Sequence, residues 1–189
     1  FCVWFLLCRY EVRRLGGGIH NTTGPCDKCM HGGDKRPAGN MCTSIVARQP
    51  NGQVVHGRNL DWNIPAELRN FVMTVHFKQN GELVYTGGTI VGYVGMLTGL
   101  KPGKFSVSID ERALGGDILG NIMAALNKNA LQPSHLLRKT LEVAESYDEA
   151  VTMLSTAPLI APVYYIIAGT ASDEGALLTR DRDQSIQPL

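Results

Sequence analysis

CTSIVARQPNGQVVHGRNLD, residues 42–61, is the stretch from which the rest of the chain is read. An Asn-Gly pair between two apolar-rich runs is the strongest short-range signal for a β-hairpin. With Asn51 and Gly52 as a two-residue turn, Pro50 faces Gln53, and the ladder runs outward until Cys42 stands opposite Asp61. Cross-strand partners have Cβ atoms roughly 5 Å apart. The expectation is a thiol set against a carboxylate on one face. Strict alternation sends Arg58 to the other face unless a bulge or the strand end re-aims it.

Outward from this hairpin, residues 71–78 read as the next strand, and Asn80-Gly81 turns it into 82–86. Glycines at 87, 88, 92, 95 and 99 interrupt a β-rich stretch, and FSVSID (105–110) returns as a strand ending in Glu111-Arg112. Helical periodicity follows. Leu119, Ile122, Met123 and Leu126 form one apolar stripe, and Leu136, Leu137, Leu141 and Ala144 form another after Pro133. Ser146-Tyr147-Asp148-Glu149 is a capping box opening a third helix with Ala150, Val151 and Leu154 inward. Met123 and Met153 read as core filling. Strands at 162–168 and 176–180 complete the pattern. Strands, helices, then strands predict an α+β fold with helices covering a largely antiparallel sheet.

The 189 residues fit one domain, and 18 basic against 17 acidic residues leave no global field directed at nucleic acid. The cysteines, at 2, 8, 26, 29 and 42, crowd the first quarter, so a disulfide framework for the body is excluded. Residues 1–41 differ in character from residues 42–189 and show no period; they read as an atypical, poorly ordered segment. A zinc knuckle built from Cys26, Cys29 and His20 or His31 is the sharper alternative there, although zinc sites want four ligands. Asn21-Thr22-Thr23 is a glycosylation sequon. FCVWFLLC at the start is too short for the ~20 residues of a membrane span. It also lacks the flanks of a signal peptide.

Cys42 alone is weak, because cysteine is often a small buried hydrophobe. What strengthens it is Arg58-Asn59-Leu60-Asp61 at the far end of the same hairpin. A guanidinium stabilises a thiolate or an oxyanion, and a carboxylate orients an amine. No histidine is placed to act as its base; His56 reads as an alternating strand residue, and His76 and His135 have no evident partner. The α-amino group of Cys42 serves as that base if the chain is cut before it, since an α-amine titrates near ~7.7–8.

Six segments carry a resemblance. CTSIVA (42–47), HGRNLD (56–61), GYVGMLTG (92–99), KFSVSIDER (104–112), APLIAPVYYI (157–166) and LLTRDRD (177–183) occur in order and spacing as in one family. That family comprises the N-acylethanolamine-hydrolysing acid amidases and the acid ceramidases. HGRNLDW and FKQNGELVYTGG are more similar to the ethanolamide-cleaving branch, and GYVGMLTG and KPG to the ceramide-cleaving branch.

The resemblance implies an αββα N-terminal nucleophile hydrolase, incomplete at the C-terminus, that cleaves fatty-acid ethanolamides such as palmitoylethanolamide in the lysosome after autocleavage before Cys42. Ceramide is the alternative substrate, and an inactive truncated fragment is the non-enzymatic reading. Carried over by motif, Cys42, Arg58, Asp61 and Glu111 are catalytic, and Gly92, Tyr93 and Gly95 wall the acyl site. No cofactor or metal is implied. The partners implied are a lipid amide, a family-type α-subunit that residues 1–40 do not resemble, and a membrane surface touched peripherally. The family pattern continues beyond LTRDRD to an Asn and an Arg that help form the site. Met41 adds a second route, in which translation starts there and removal of the Met exposes Cys42.

Overall fold

Six strands, three α-helices and three more strands follow in chain order, with a 3-10 turn at Ala66–Phe71, in a computed structural model that describes residues 41–61, 66–112 and 117–186. The proposed zinc knuckle, the sequon and the atypical segment up to residue 40 lie outside the described residues. Strands β1 (Met41–Arg48) and β2 (Val54–Asp61) form a hairpin of their own. A second, seven-stranded antiparallel sheet runs in sequence order through β3 (Val72–Gln79), β4 (Glu82–Ile90), β5 (Thr98–Lys101), β6 (Phe105–Glu111), β7 (Val163–Gly169), β8 (Gly175–Arg180) and β9 (Ser185–Ile186). Helices α1 (Ile118–Ala125), α2 (Pro133–Val143) and α3 (Tyr147–Thr156) are inserted between β6 and β7.

The two Asn-Gly turns differ, and the difference sets the register of the candidate site. Asn80 and Gly81 both take positive φ, 52° and 90°, and close a two-residue hairpin between Gln79 and Glu82. The same geometry at Asn51-Gly52 would put Pro50 in the closing pair, where an N–H is needed that proline lacks. Instead Gly52 N donates to Gln49 O at 2.9 Å, so Pro50 takes the first corner of a turn that suits its fixed φ. Gly52 follows with φ 82°, and Gln49 N donates to Gln53 O at 2.8 Å. The loop therefore holds three residues. Cys42 pairs with Leu60, and Asp61 pairs with Met41, one step from the sequence expectation.

The hairpin packs on β6, β7 and β8, while α2 and α3 cover the opposite face of the large sheet. Strand β6 is buried on both sides and its sequence sorts the two layers. Phe105, Val107 and Ile109 join Leu136, Leu137, Leu141 and Leu154 in the apolar core beneath the helices. Ser106 and Ser108 are equally buried but meet the hairpin. Helix, sheet and hairpin thus supply three of the four layers of an αββα sandwich among the described residues.

Local signals hold where they are self-contained. Ser146 accepts the amide of Glu149 at 3.2 Å, and the Glu149 carboxylate reaches back to the amide of Glu145 at 2.7 Å. Arg180, wholly buried, donates to the carbonyls of Leu154 and Ala157, which the end of α3 would otherwise leave unpaired. The stripe on α1 is a correction, because it does not enter the core: Leu119, Ile122, Met123 and Leu126 are all exposed, and α1 buries no residue. Met123 is not core filling, because periodicity defines an apolar face without defining what covers it.

Candidate active site

The register of the first hairpin puts Cys42, Ser44, His56, Arg58 and Leu60 on one face, turned toward β6. Moving a strand pairing by one residue exchanges its faces. Hence Arg58, expected on the far side, reaches the thiol, with Nη2 3.6 Å from Cys42 Sγ. The guanidinium is fixed by the neighbouring sheet: Nη1 donates to Thr98 Oγ1 at 2.9 Å and Nη2 to the Ile109 carbonyl at 2.6 Å. The Asp110 carboxylate stands 3.6 Å from Nε. Cys42, Ser44, Val46, Asp110, Tyr164 and Leu177 line an open cavity of about 570 Å³. A smaller cavity of about 60 Å³ lies against Arg58, walled by Leu60, Met73, Ile90 and Leu97.

Burial governs the electrostatics. It pushes the Arg58 guanidinium below its ordinary value, against the upward pull of Cys42 and Asp110, yet an arginine at this site keeps its charge. Burial also raises the Asp110 carboxyl, and the hydrogen bond from Ser44 and the charge of Arg58 offset only part of that. The site thus holds a permanent cation against the sulfur, with a desolvated carboxyl group behind it. A cation so placed stabilises negative charge on sulfur, or on an oxygen formed beside it.

The other candidate residues divide. Asp61 is the register partner of Met41, the residue before the bond that maturation would cut. Glu111 ends β6, exposed and paired with Val163; its neighbour Asp110, of opposite parity, is the one that meets Arg58. Gly92, Tyr93 and Gly95 are not in the lining of the Cys42 cavity. Tyr93 Oη donates to Ser134 Oγ at 2.6 Å, at the start of α2. A Cβ at Gly95 would stand 2.0 Å from Ser134 Oγ, so that glycine admits the helix. Gly92 takes φ 84° in the same loop. Tyr93 and Gly95 thus pack against the start of α2.

Sequence reasoning misses Ser44, His56, Thr98, Ser106, Ser108 and Asp110 as parts of the site, although FSVSID carries the signal for three of them. A strand alternating Phe, Val and Ile with Ser, Ser and Asp pairs an apolar face with a polar one. His56 sits opposite that polar face, only 5% exposed, with Nδ1 2.9 Å from Ser106 Oγ and Nε2 3.0 Å from Ser108 Oγ.

Burial first, then the charge of Arg58, lowers the His56 pKa from 6.5 to about 4, against the upward effect of a hydrogen bond to the Ser106 backbone. The unfolded chain, with an ordinary histidine, binds the proton first on acidification. Stability is therefore expected to fall by about 3 kcal/mol between pH 6.5 and 4. Asp110 acts in the opposite sense, since protonation of a buried carboxylate relieves its desolvation. Urea denaturation of wild type and His56→Gln across that range checks it. The variant's stability should change less with pH; an unchanged slope would assign the titration elsewhere.

Comparison with known proteins bears on this geometry. Residues 42–187 match the model of the linear amide C–N hydrolases, choloylglycine hydrolase family. The N-acylethanolamine-hydrolyzing acid amidase of Mus musculus is 48% identical over 142 residues, covering 75% of this chain and 39% of the mouse protein. Acid ceramidase of Homo sapiens is 37% identical over 161 residues, covering 77% of this chain and 41% of the human protein. The solved structure of a Caenorhabditis elegans ortholog of the amidase superposes with a TM-score of 0.68 at 37% identity, covering 75% of this chain and 61% of that one. The chain spans about two fifths of the length of these curated relatives.

Proposed function

Because this chain belongs to the linear amide C–N hydrolases of the choloylglycine hydrolase family, we propose that it is the nucleophile-bearing part of an amidase that cleaves fatty-acid ethanolamides to fatty acid and ethanolamine. The observation that carries this reading is the Arg58 guanidinium held 3.6 Å from Cys42 Sγ beside an open cavity. Maturation begins with Sγ attacking the Met41 carbonyl; the acyl group moves from nitrogen to sulfur, and water hydrolyses the thioester. Cys42 is then the first residue of its chain, with a free α-amine.

In turnover that amine takes the thiol proton as Sγ adds to the substrate carbonyl, and gives it to the nitrogen of the departing ethanolamine. Water cleaves the acyl thioester, releasing the fatty acid and restoring the thiol. Arg58 stabilises the charge that develops at each addition. The family motif gives Asp61, the register partner of Met41, the part of orienting the new terminus. Leu60, Met73, Ile90 and Leu97 on one side of Arg58, and Val46, Ile166 and Leu177 on the other, offer walls for a hydrocarbon tail.

An acidic compartment, the lysosome, is the setting this reading assigns, following the relatives named acid amidase and acid ceramidase. The exposed apolar face of α1 supports contact with a lipid surface from which such a substrate is drawn. The amidase named in the 48% identical relative is favoured over the ceramidase of the 37% identical one. Palmitoylethanolamide and N-palmitoylsphingosine compared head to head on the full-length protein test the choice. Ethanolamide cleavage faster by about tenfold or more, roughly 1.4 kcal/mol of discrimination, is expected. Equal or faster ceramide cleavage would overturn the assignment.

A further inference from the structure

Asp110 occupies a place in this site that neither the motif nor the maturation chemistry requires. Its Oδ1 accepts a hydrogen bond from Ser44 Oγ at 3.0 Å and faces Arg58 Nε at 3.6 Å. The Asp110 carboxylate thus pairs with Arg58, whose Nε has no other hydrogen-bond partner. Ser44 in turn lies 2.9 Å from Ser108 Oγ, and Ser108 3.0 Å from His56 Nε2. Because Ser44 spends its proton on the carboxylate, the Ser44–Ser108 contact is a hydrogen bond only if Ser108 donates. Ser108 must then accept from His56 Nε2–H, and Nδ1 accept from Ser106. One direction of donation thus runs from β6 through His56, Ser108 and Ser44, and it ends on Asp110.

A buried chain of this kind costs desolvation unless every member is paired, and here every link is made. Its end point is the orientation of one carboxylate, and through it of one guanidinium. We propose that Asp110 is a positioning residue for the nucleophile: held by Ser44, it keeps the Arg58 guanidinium aimed at Cys42 Sγ. The Asp110 charge by itself opposes a thiolate, so it helps the thiol only through Arg58. That dependence makes the role testable. The proposal rests on Cys42 being the nucleophile, but its test needs no amide substrate.

The experiment measures alkylation of Cys42 by iodoacetamide in the full chain, resolved by peptide mass spectrometry, with Cys2, Cys8, Cys26 and Cys29 as internal references. Asp110→Asn is expected to slow Cys42 alkylation about tenfold with Arg58 present, and not to slow it in an Arg58→Met background. Ser44→Ala, which leaves all charges in place, should slow it about threefold. Ser44→Thr, whose methyl has room in the cavity that Ser44 lines, should restore the rate. Circular dichroism establishes that each variant is folded. Alkylation unchanged or faster in Asp110→Asn, an equal loss without Arg58, or a loss in Ser44→Ala that Thr does not restore, overturns the proposal. Loss of ethanolamide hydrolysis with these alkylation results intact would count against the amidase reading instead.

Discussion

Cys42→Ala is expected to abolish ethanolamide hydrolysis, lowering turnover by at least ~10³-fold, which corresponds to about 4 kcal/mol of transition-state stabilisation. The expectation rests on two demands made of one sulfur. Under the proposed mechanism it first breaks the Met41–Cys42 bond and afterwards carries the acyl group. Alanine removes both, so the Cys42→Ala variant should keep Met41 and its upstream residues attached, as N-terminal sequencing would read directly. Cys42→Ser separates the two demands, because an alkoxide is far harder to form than a thiolate and the α-amine is a weak base for it. Retained hydrolysis by Cys42→Ala would end the nucleophile assignment. An intact Met41–Cys42 bond in an active wild-type preparation would end the N-terminal amine mechanism while leaving a thiol mechanism standing.

How the site came to be half-legible follows from which interactions are local. The strands around Asn80-Gly81 and the helix opened by Ser146 are decided within a few residues, and both form as read. The first hairpin is also legible, but its register turns on Pro50, whose missing N–H excludes the two-residue loop that Asn51-Gly52 otherwise favours. That single residue exchanges Arg58 for Asp61 on the face of Cys42. The same parity separates Asp110 from Glu111: one position along a strand decides which carboxylate meets the cation. Tyr93 and Gly95 illustrate a different limit. Their glycine-rich loop signals a close approach, and only the packing of Ser134 shows that the approaching group is α2.

The polar face of β6 marks a further limit. A polar layer between two sheets has no periodicity that distinguishes it from a solvated face, since alternation in FSVSID looks the same whether Ser106 and Ser108 meet water or His56. Burial converts that face into a constraint. Once buried, each hydroxyl must find a partner, and the partners available on β1 and β2 are those that surround the thiol. The layer that closes the sandwich is therefore also what orders the site.

Arg58→Lys carries the second large effect, because lysine keeps the charge while losing the shape. The guanidinium serves Thr98 Oγ1, the Ile109 carbonyl and Cys42 Sγ together, at 2.9, 2.6 and 3.6 Å, with Asp110 behind it. A single ammonium on a flexible stem cannot span groups contributed by three strands. Each buried acceptor left unpaired costs about 1–3 kcal/mol, so a loss of about 2–4 kcal/mol in folding stability is expected by urea denaturation. Turnover should fall by ~10²-fold or more, as it does when one preorganised donor is removed from an anion-stabilising site. The two losses separate by temperature: a purely structural defect should recover turnover where the variant is fully folded, and a misplaced cation should not. If Arg58→Lys, folded, kept turnover within a few-fold of wild type, simple positive charge near Cys42 would suffice. The hydrogen-bonded fork would then have no part in the chemistry.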